Sequence, residues 1–497
     1  MTTAPTPVFD YKPSDPNALP ELARRALAEG NEESALPRLA AAAERAGTDA
    51  QLWQWTALLL RALDRHAEAI TAFDRAAALA PTDHSIAYGR AQATMEAGGD
   101  AVALFGGARL LDPANGDTIL GLSAARFAAG DGAAAADELE ALLTHNPHWL
   151  PGHQGLAGLR AMLGEADAAT RSFETALVAQ PETARLWEAL IVTLFSARRY
   201  AEAHDAILRA RAVLGNAAFE ANEAVILSEL SDAAADVLFA RIDAPDDLPF
   251  AVHRIRRLLR TGRAAEALPL VERWIGKAGA TAIWPYAALV WRVTGDARWE
   301  WLEGDSRLVT VTDLTASLPP LDRLAEVLRG MHVARAQPLD QSVRGGTQTD
   351  GMLFTRAEPE IAALRAAIVA AAAAHIAQLP PPDPAHPILG LHRDRPIRFS
   401  GAWSVRLGGG GHHNSHIHPL GWFSSALHIT LPEMQGEQGW LTLGGAPGDL
   451  GLDLPPLRRI EPRPGQLILF PSMMWHGTTP FDAGERLTVA FDVARPR

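Results

Sequence analysis

Residues 69–81 read AITAFDRAAALAP, and the same skeleton, A-x3-F-x2-A-x4-P, returns three times. It is AVALFGGARLLDP at 101–113, AADELEALLTHNP at 135–147 with Leu139 and Leu142 in the Phe and second Ala places, and ATRSFETALVAQP at 169–181. The closing residues Pro81, Pro113, Pro147 and Pro181 are 32, 34 and 34 residues apart. A weaker copy follows at Ala203, Ile207 and Ala210, with Gly215 where the proline would fall. Each part has a physical role. Small alanines let two helices approach closely, the aromatic or Leu fills the gap between them, and Pro ends the helix because it cannot continue the hydrogen-bond ladder. Gly99-Asp100, Gly130-Asp131, Gly164-Glu165 and Arg198-Arg199 punctuate the middle of each unit. Each unit therefore reads as a helix pair that must stack on its neighbours to bury its apolar face.

Working outward, residues 20–300 keep the same Ala-, Leu-, Glu- and Arg-rich, helix-forming composition, with degenerate units at 232–241 and 264–274. A helix pair of about 34 residues is the period of the tetratricopeptide repeat. The segment resembles that family, which implies an all-α solenoid whose concave surface holds a protein or peptide partner. A spacer, or a platform for oligomer formation, is the competing use, since fold alone does not decide function. Residues 1–19 are left as an N-terminal extension.

The bulk composition narrows the classes. At 497 residues the chain exceeds one ordinary core, and 48% hydrophobic with 21% charged residues is globular rather than disordered. A formal charge of −13 disfavours sequence-independent binding to a nucleic-acid backbone, which needs surplus Lys and Arg. With no Cys, disulfides, thiolate metal sites and Cys nucleophiles are excluded. The first residues carry no basic patch followed by an apolar core, and no run is read as reaching the ~20 apolar residues that span a bilayer. A cytoplasmic protein without membrane contact is the expectation.

Near residue 301 the character changes. RLVTVTDL at 307–314 reads as a short strand, 321–331 and 358–379 as helices, and 380–382 as a proline linker. Strands are expected at 397–407, 422–430, 440–443, 466–470 and 487–492, a spacing that indicates a sandwich or barrel. Five of the 17 histidines lie between His412 and His428. His416 and His418 form an H-x-H pair, and on a strand residues i and i+2 share a face, so both imidazoles reach one ion. A third, His476, follows an apolar strand, and Arg486 and Thr488 come after it on one strand face. Together these are three metal ligands and an anion receptor that a jelly roll brings together. His412 and His413 are read as solvated loop residues. The glycines at 408–411 have no strand–Gly-x-Gly–helix context, and no P-loop, nucleophile elbow or H-E-x-x-H motif occurs.

Residues 399–497 resemble the double-stranded β-helix of the iron(II)/2-oxoglutarate oxygenases, and more narrowly the branch of that superfamily often attached to tetratricopeptide repeats. The likeness is carried by WSVRL at 403–407, NSHIHPLGW at 414–422, FPSMMWH at 470–476 and GERLT at 484–488, with QSVRGGTQT at 341–349 upstream. The resemblance implies a multidomain chain: a tetratricopeptide solenoid at 20–300, then a jelly-roll oxygenase with flanking helices at 301–497. It implies Fe(II), 2-oxoglutarate and O2 as cofactor and cosubstrates, and hydroxylation of a C–H bond, with a protein or peptide side chain as substrate. His416 and His476 match the family's metal histidines. Arg486 matches the residue that pairs with the distal carboxylate of 2-oxoglutarate, and Thr488 would assist it. Arg406 and His428 join the cosubstrate-binding candidates. Trp422, with Arg344 and Gln348 on a Gly-rich segment read as a lid or substrate loop, are the substrate-binding candidates.

The pattern departs from the family at one position. The superfamily uses two His and one carboxylate, and His418 stands where the carboxylate belongs. Either His418 is the third ligand, or it faces substrate while water completes the site. A three-His face also suits zinc, although zinc-hydroxide chemistry has no evident need for Arg486. Two other functions stay open: a three-His dioxygenase that does not use 2-oxoglutarate, and a non-catalytic repeat scaffold with a relic oxygenase domain.

Overall fold

The computed structural model describes residues 18–496 apart from 245 and 340, so the expected N-terminal extension lies outside the described residues up to residue 17. Helix pairs run from Ala18–Glu29 to Trp284–Thr294. The repeated skeleton occupies the second helix of each pair. Ala69, Phe73 and Ala76 lie on His66–Leu79 and are fully buried, as Ala169, Phe173 and Ala176 are nearly so further on. Phe73 closes onto Gly89 of the next helix, where an added Cβ would stand 2.6 Å from its ring, and Phe105 does the same at Gly121. The third copy puts Leu142 at the second Ala position, and the larger side chain stays half-buried. After the proline, the next helix is capped from its own sequence: Asp83 accepts from the Ser85 and Ile86 amides and Asn115 from the Thr118 amide. The degenerate units are present as helices Ala234–Arg241 and Ala264–Trp274.

The C-terminal part is two antiparallel sheets. One has six strands in the order β1 (Thr310–Asp313), β7 (Gln466–Pro471), β4 (Gly421–Thr430), β9 (Arg486–Ala494), β3 (Phe399–His413), β2 (Val343–Gln348). The other has three, β6 (Arg458–Ile460), β5 (Leu441–Leu443) and β8 (His476–Thr478). Ala426, Ile468 and Phe470 of the first sheet pack with Leu441 and Leu443 of the second, so the core lies between the layers as in a jelly roll. The chain is therefore a tetratricopeptide-type helical array followed by an antiparallel sheet domain.

Two expectations are corrected. Residues 341–349 are not a free lid: Val343–Gln348 is an edge strand paired with β3, and its glycines serve a bulge between Arg344 and Gly346, with Gly345 at φ +70°. Helix Pro359–Gln378 does reach 20 residues with a mean hydropathy of 1.6, long and apolar enough to cross a bilayer by length and composition. Here its Ile361, Leu364 and Ile368 are buried, and its His375 ring packs edge-on against Phe423 of β4 at 4.5 Å.

Contacts divide the chain into two compact units. One holds the helices up to Ala129 with Phe354–Glu358, the other Gly130–Leu353 with Pro359–Pro496. The second unit thus combines the later repeats with both sheets. Within it the Trp475 indole donates to the Pro285 carbonyl at 3.1 Å and meets Tyr286 edge-on at 5.5 Å. Arg260 donates to the Asp449 carbonyl at 3.0 Å and Arg292 to that of Pro455 at 2.8 Å.

Candidate functional site

His416 and His418 lie not on a strand but on an extended loop between β3 and β4. The alternation holds because the backbone is pinned: His416 and His476 exchange amide–carbonyl bonds of 2.9 and 3.0 Å, and the His418 amide donates to Ser472 at 2.9 Å. His476 opens β8. Ligand atoms from His416, His418 and His476 all fall within 4.8 Å of one another, a spacing that lets them hold one metal ion.

The other face of each ring explains the aim. His416 Nδ1 lies 2.8 Å from the Asn414 carbonyl and His476 Nδ1 2.9 Å from the Met474 carbonyl. A carbonyl only accepts, so both Nδ1 atoms carry the proton and both Nε2 lone pairs face the cluster. His418 Nδ1 meets Asp492 Oδ2 at 2.7 Å, and its ring stacks on Trp403 at 5.6 Å. Burial, reinforced by neighbouring imidazoles, lowers His416 to about 3 and pushes His476 well below the usual histidine range. Both rings are neutral at physiological pH, the form that binds a metal.

Strand β9 lays out the rest on one face: Arg486, Thr488, Ala490 and Asp492 all line the pocket that contains the three imidazoles. Arg486 is 2% exposed, and no carboxylate among the described residues forms an ion pair with it. Burial lowers it to about 10, which still leaves a cation. Its Nη1 donates to the Gly439 carbonyl at 2.7 Å, Nε to Thr488 at 3.4 Å and Nη2 to His428 Nδ1 at 3.5 Å. One N–H remains on each terminal nitrogen, the pair that a carboxylate accepts side by side. His428 stands against Arg486, fully buried and held neutral by burial and by that charge. Between the cluster and the guanidinium the wall is apolar, with Leu441, Phe470 and Ala426.

Three candidates stand elsewhere or differently. Gln348 lines this pocket, but Arg344 lines the adjoining groove. Arg406 alternates with the inward Val405 and so points to the other face of β3, where it pairs with Glu485 at 2.6 Å. Trp422 is 3% exposed, packs on Phe423 and donates to the Ile388 carbonyl at 3.1 Å, away from the pocket. The structure brings in others. His413 is the end of β3 rather than solvated loop, lines the pocket and stacks on His416 at 6.0 Å. Ser342 Oγ reaches both His413 Nδ1 and His416 Nε2 at 3.2 Å. Asp492 has a second support, accepting from Ser424 Oγ at 2.6 Å. The i+6 spacing from Arg486 on an even-period strand was the signal for Asp492.

An Asp492→Asn variant tests that support. The amide keeps an acceptor but loses the charge that orients and polarises His418, so metal affinity is expected to fall about 10–100-fold, measured by Co(II) titration.

Residues 401–492 match the model of a family described as "Putative 2OG-Fe(II) oxygenase". Among solved structures, a tetratricopeptide repeat protein from Parabacteroides merdae ATCC 43184 is similar at 16% identity and a TM-score of 0.31, over 55% of this chain and 97% of that one. A Pseudomonas putida prolyl-4-hydroxylase is similar at 17% identity and a TM-score of 0.27, over 39% of this chain and 95% of that one. No curated protein matches the chain.

Proposed function

From a C-terminal domain that matches an oxygenase family over residues 401–492, we propose that the chain is an iron(II)- and 2-oxoglutarate-dependent hydroxylase acting on a protein or peptide side chain. The observation that carries this reading is the pairing of three converging imidazoles with a buried guanidinium that has no carboxylate partner among the described residues, all on one pocket. A cation taken out of water without a counter-charge is costly, and a bound dicarboxylate offsets that cost.

His416, His418 and His476 hold the metal, and Arg486 with Thr488 receives the distal carboxylate of 2-oxoglutarate. All-nitrogen, neutral donors of this kind suit Fe(II). Bound there, iron and 2-oxoglutarate supply O2 activation coupled to decarboxylation, yielding succinate, CO2 and a hydroxylated substrate. The protein does the rest. The carbonyls of Asn414 and Met474 and the Asp492 carboxylate hold the rings in the ligating tautomer. Leu441, Phe470 and Ala426 keep water from the space between metal and guanidinium, which strengthens the carboxylate–arginine pair. The repeats of the second unit present the substrate.

The test is titration of the metal-free chain with Co(II), then with 2-oxoglutarate, followed by an assay of succinate release with Fe(II) in air. The expected result is one Co(II) per chain, 2-oxoglutarate binding that depends on metal, and succinate formed only with both. Metal uptake without 2-oxoglutarate consumption would replace this reading with a three-His oxygenase of another cosubstrate. No metal uptake would leave only a scaffold.

A further inference from the structure

His416 and His418 also face a groove whose other wall comes from repeat turns and from residues 336–344. The groove is open to solvent and has about 1960 Å³ of space, beyond the roughly 300–1,000 Å³ of small-molecule pockets. A chain segment fits it better than a metabolite.

Its charges are uneven. Arg199 is committed to Glu202 at 2.6 Å, and Arg256 to Asp449 and Glu229. Asp167 acts on Arg199. Two arginines remain. Arg344 is half-buried and its partners are neutral: the Gln341 and Val343 carbonyls at 2.7 and 2.6 Å, and the side-chain amide of Asn414. Arg198 is exposed and forms no ion pair among the described residues. The two are close enough that Arg198, after burial, helps to lower the Arg344 pKa. Like charges held together in a chain of net charge −13 are relieved only by an anion.

The backbone gives an independent sign. The turn between the two helices of a repeat is left-handed, and Gly130, Gly164 and Gly262 supply it at φ +88°, +84° and +72°. In the intervening repeat Arg198 takes the same conformation at φ +59°. A long side chain there carries a steric penalty that glycine avoids, and strain of this kind concentrates where a residue has a task.

We propose that Arg198 and Arg344 are the anion-recognition point of a peptide groove, so that the segment delivered to the imidazole pocket carries an Asp or Glu beside the residue that enters it. Calling that segment the substrate rests on the hydroxylase reading; the acidic preference does not.

The experiment is a random dodecapeptide array probed with the metal-free full chain, followed by fluorescence anisotropy of one selected acidic peptide and of its Gln/Asn counterpart. Acidic peptides are expected to be enriched, and the acidic peptide to bind at least about tenfold tighter than its neutral counterpart, a difference that shrinks in high salt. Arg198→Gly and Arg344→Gln are each expected to remove most of that preference. The first should raise or leave unchanged the thermal midpoint, which separates lost recognition from lost folding. No acidic enrichment, a preference for oligonucleotide over acidic peptide, or an acidic preference undiminished in both variants would overturn the proposal. A chain that takes up Co(II) and 2-oxoglutarate but ignores acidic peptides sinks this inference alone. One that binds acidic peptides but takes up no metal sinks the hydroxylase reading alone.

Discussion

His476→Ala is expected to lower Co(II) or Fe(II) affinity by at least about 100-fold and to bring succinate formation to background, on the reading that this ring is one of three ligands. The ring is 7% exposed and spends its Nδ1 proton on the Met474 carbonyl, so its remaining nitrogen has no other use than to face the cluster. Truncation also strands that carbonyl, at about 1–3 kcal/mol. A loss of activity alone would therefore be ambiguous, so the metal titration is made on protein whose circular dichroism matches the parent. The position of His418 is resolved in the same series. If His418 ligates, His418→Ala falls nearly as far as His476→Ala; if it serves substrate, metal affinity stays within a few-fold. His418→Asp, which writes back the common H-x-D pattern, is expected to bind poorly by itself. It would set a carboxylate beside Asp492, and combining it with Asp492→Asn should recover metal binding. Retention of full affinity in His476→Ala would end the metal-site reading.

The second large effect is at Arg486. Arg486→Met is expected to raise the KM for 2-oxoglutarate by about 100-fold or more, because truncating one side of a buried, hydrogen-bonded charge pair costs about 2–5 kcal/mol. Metal affinity should move little, since the guanidinium is not among the ligands. Stability should hold or rise: the variant keeps most of the apolar length and removes a buried cation with no carboxylate partner among the described residues. The lost bond to the Gly439 carbonyl offsets part of that gain. Unchanged 2-oxoglutarate kinetics with an improved thermal midpoint would assign Arg486 a purely structural place and remove the main support for this cosubstrate.

What sequence made legible follows from how each residue's position is determined. The repeat was readable because its period is local: Ala69, Phe73, Ala76 and Pro81 fall within two turns of helix and the next turn, and their packing partners lie in the adjacent unit. His416, His418, His476 and Arg486 were readable because few residue types bind metals or carboxylates and their spacing survives loop geometry. The neighbours were not. Which face Arg406 takes depends on strand parity, and β3 shows Val405 to the pocket and Arg406 to Glu485. Trp422 sits beside the H-x-H loop in sequence, yet its indole turns to the Ile388 carbonyl. Asp492 meets His418 only through the pairing of β9 with β4, which no local pattern reveals. Glycines at 345 and 346 read as loop because a bulged edge strand and a turn use the same residue type.

The indole of Trp475, one residue before a candidate ligand, donates to Pro285 and rests against Tyr286, both on a repeat helix. The outer wall of the catalytic loop is thus supplied by a different part of the chain's architecture. Cutting the polypeptide near residue 301 would leave that tryptophan facing water and the ligand beside it unbraced. Evolution cannot exchange this helix as an interchangeable adaptor: a new recognition array must also inherit a seat for one particular aromatic side chain.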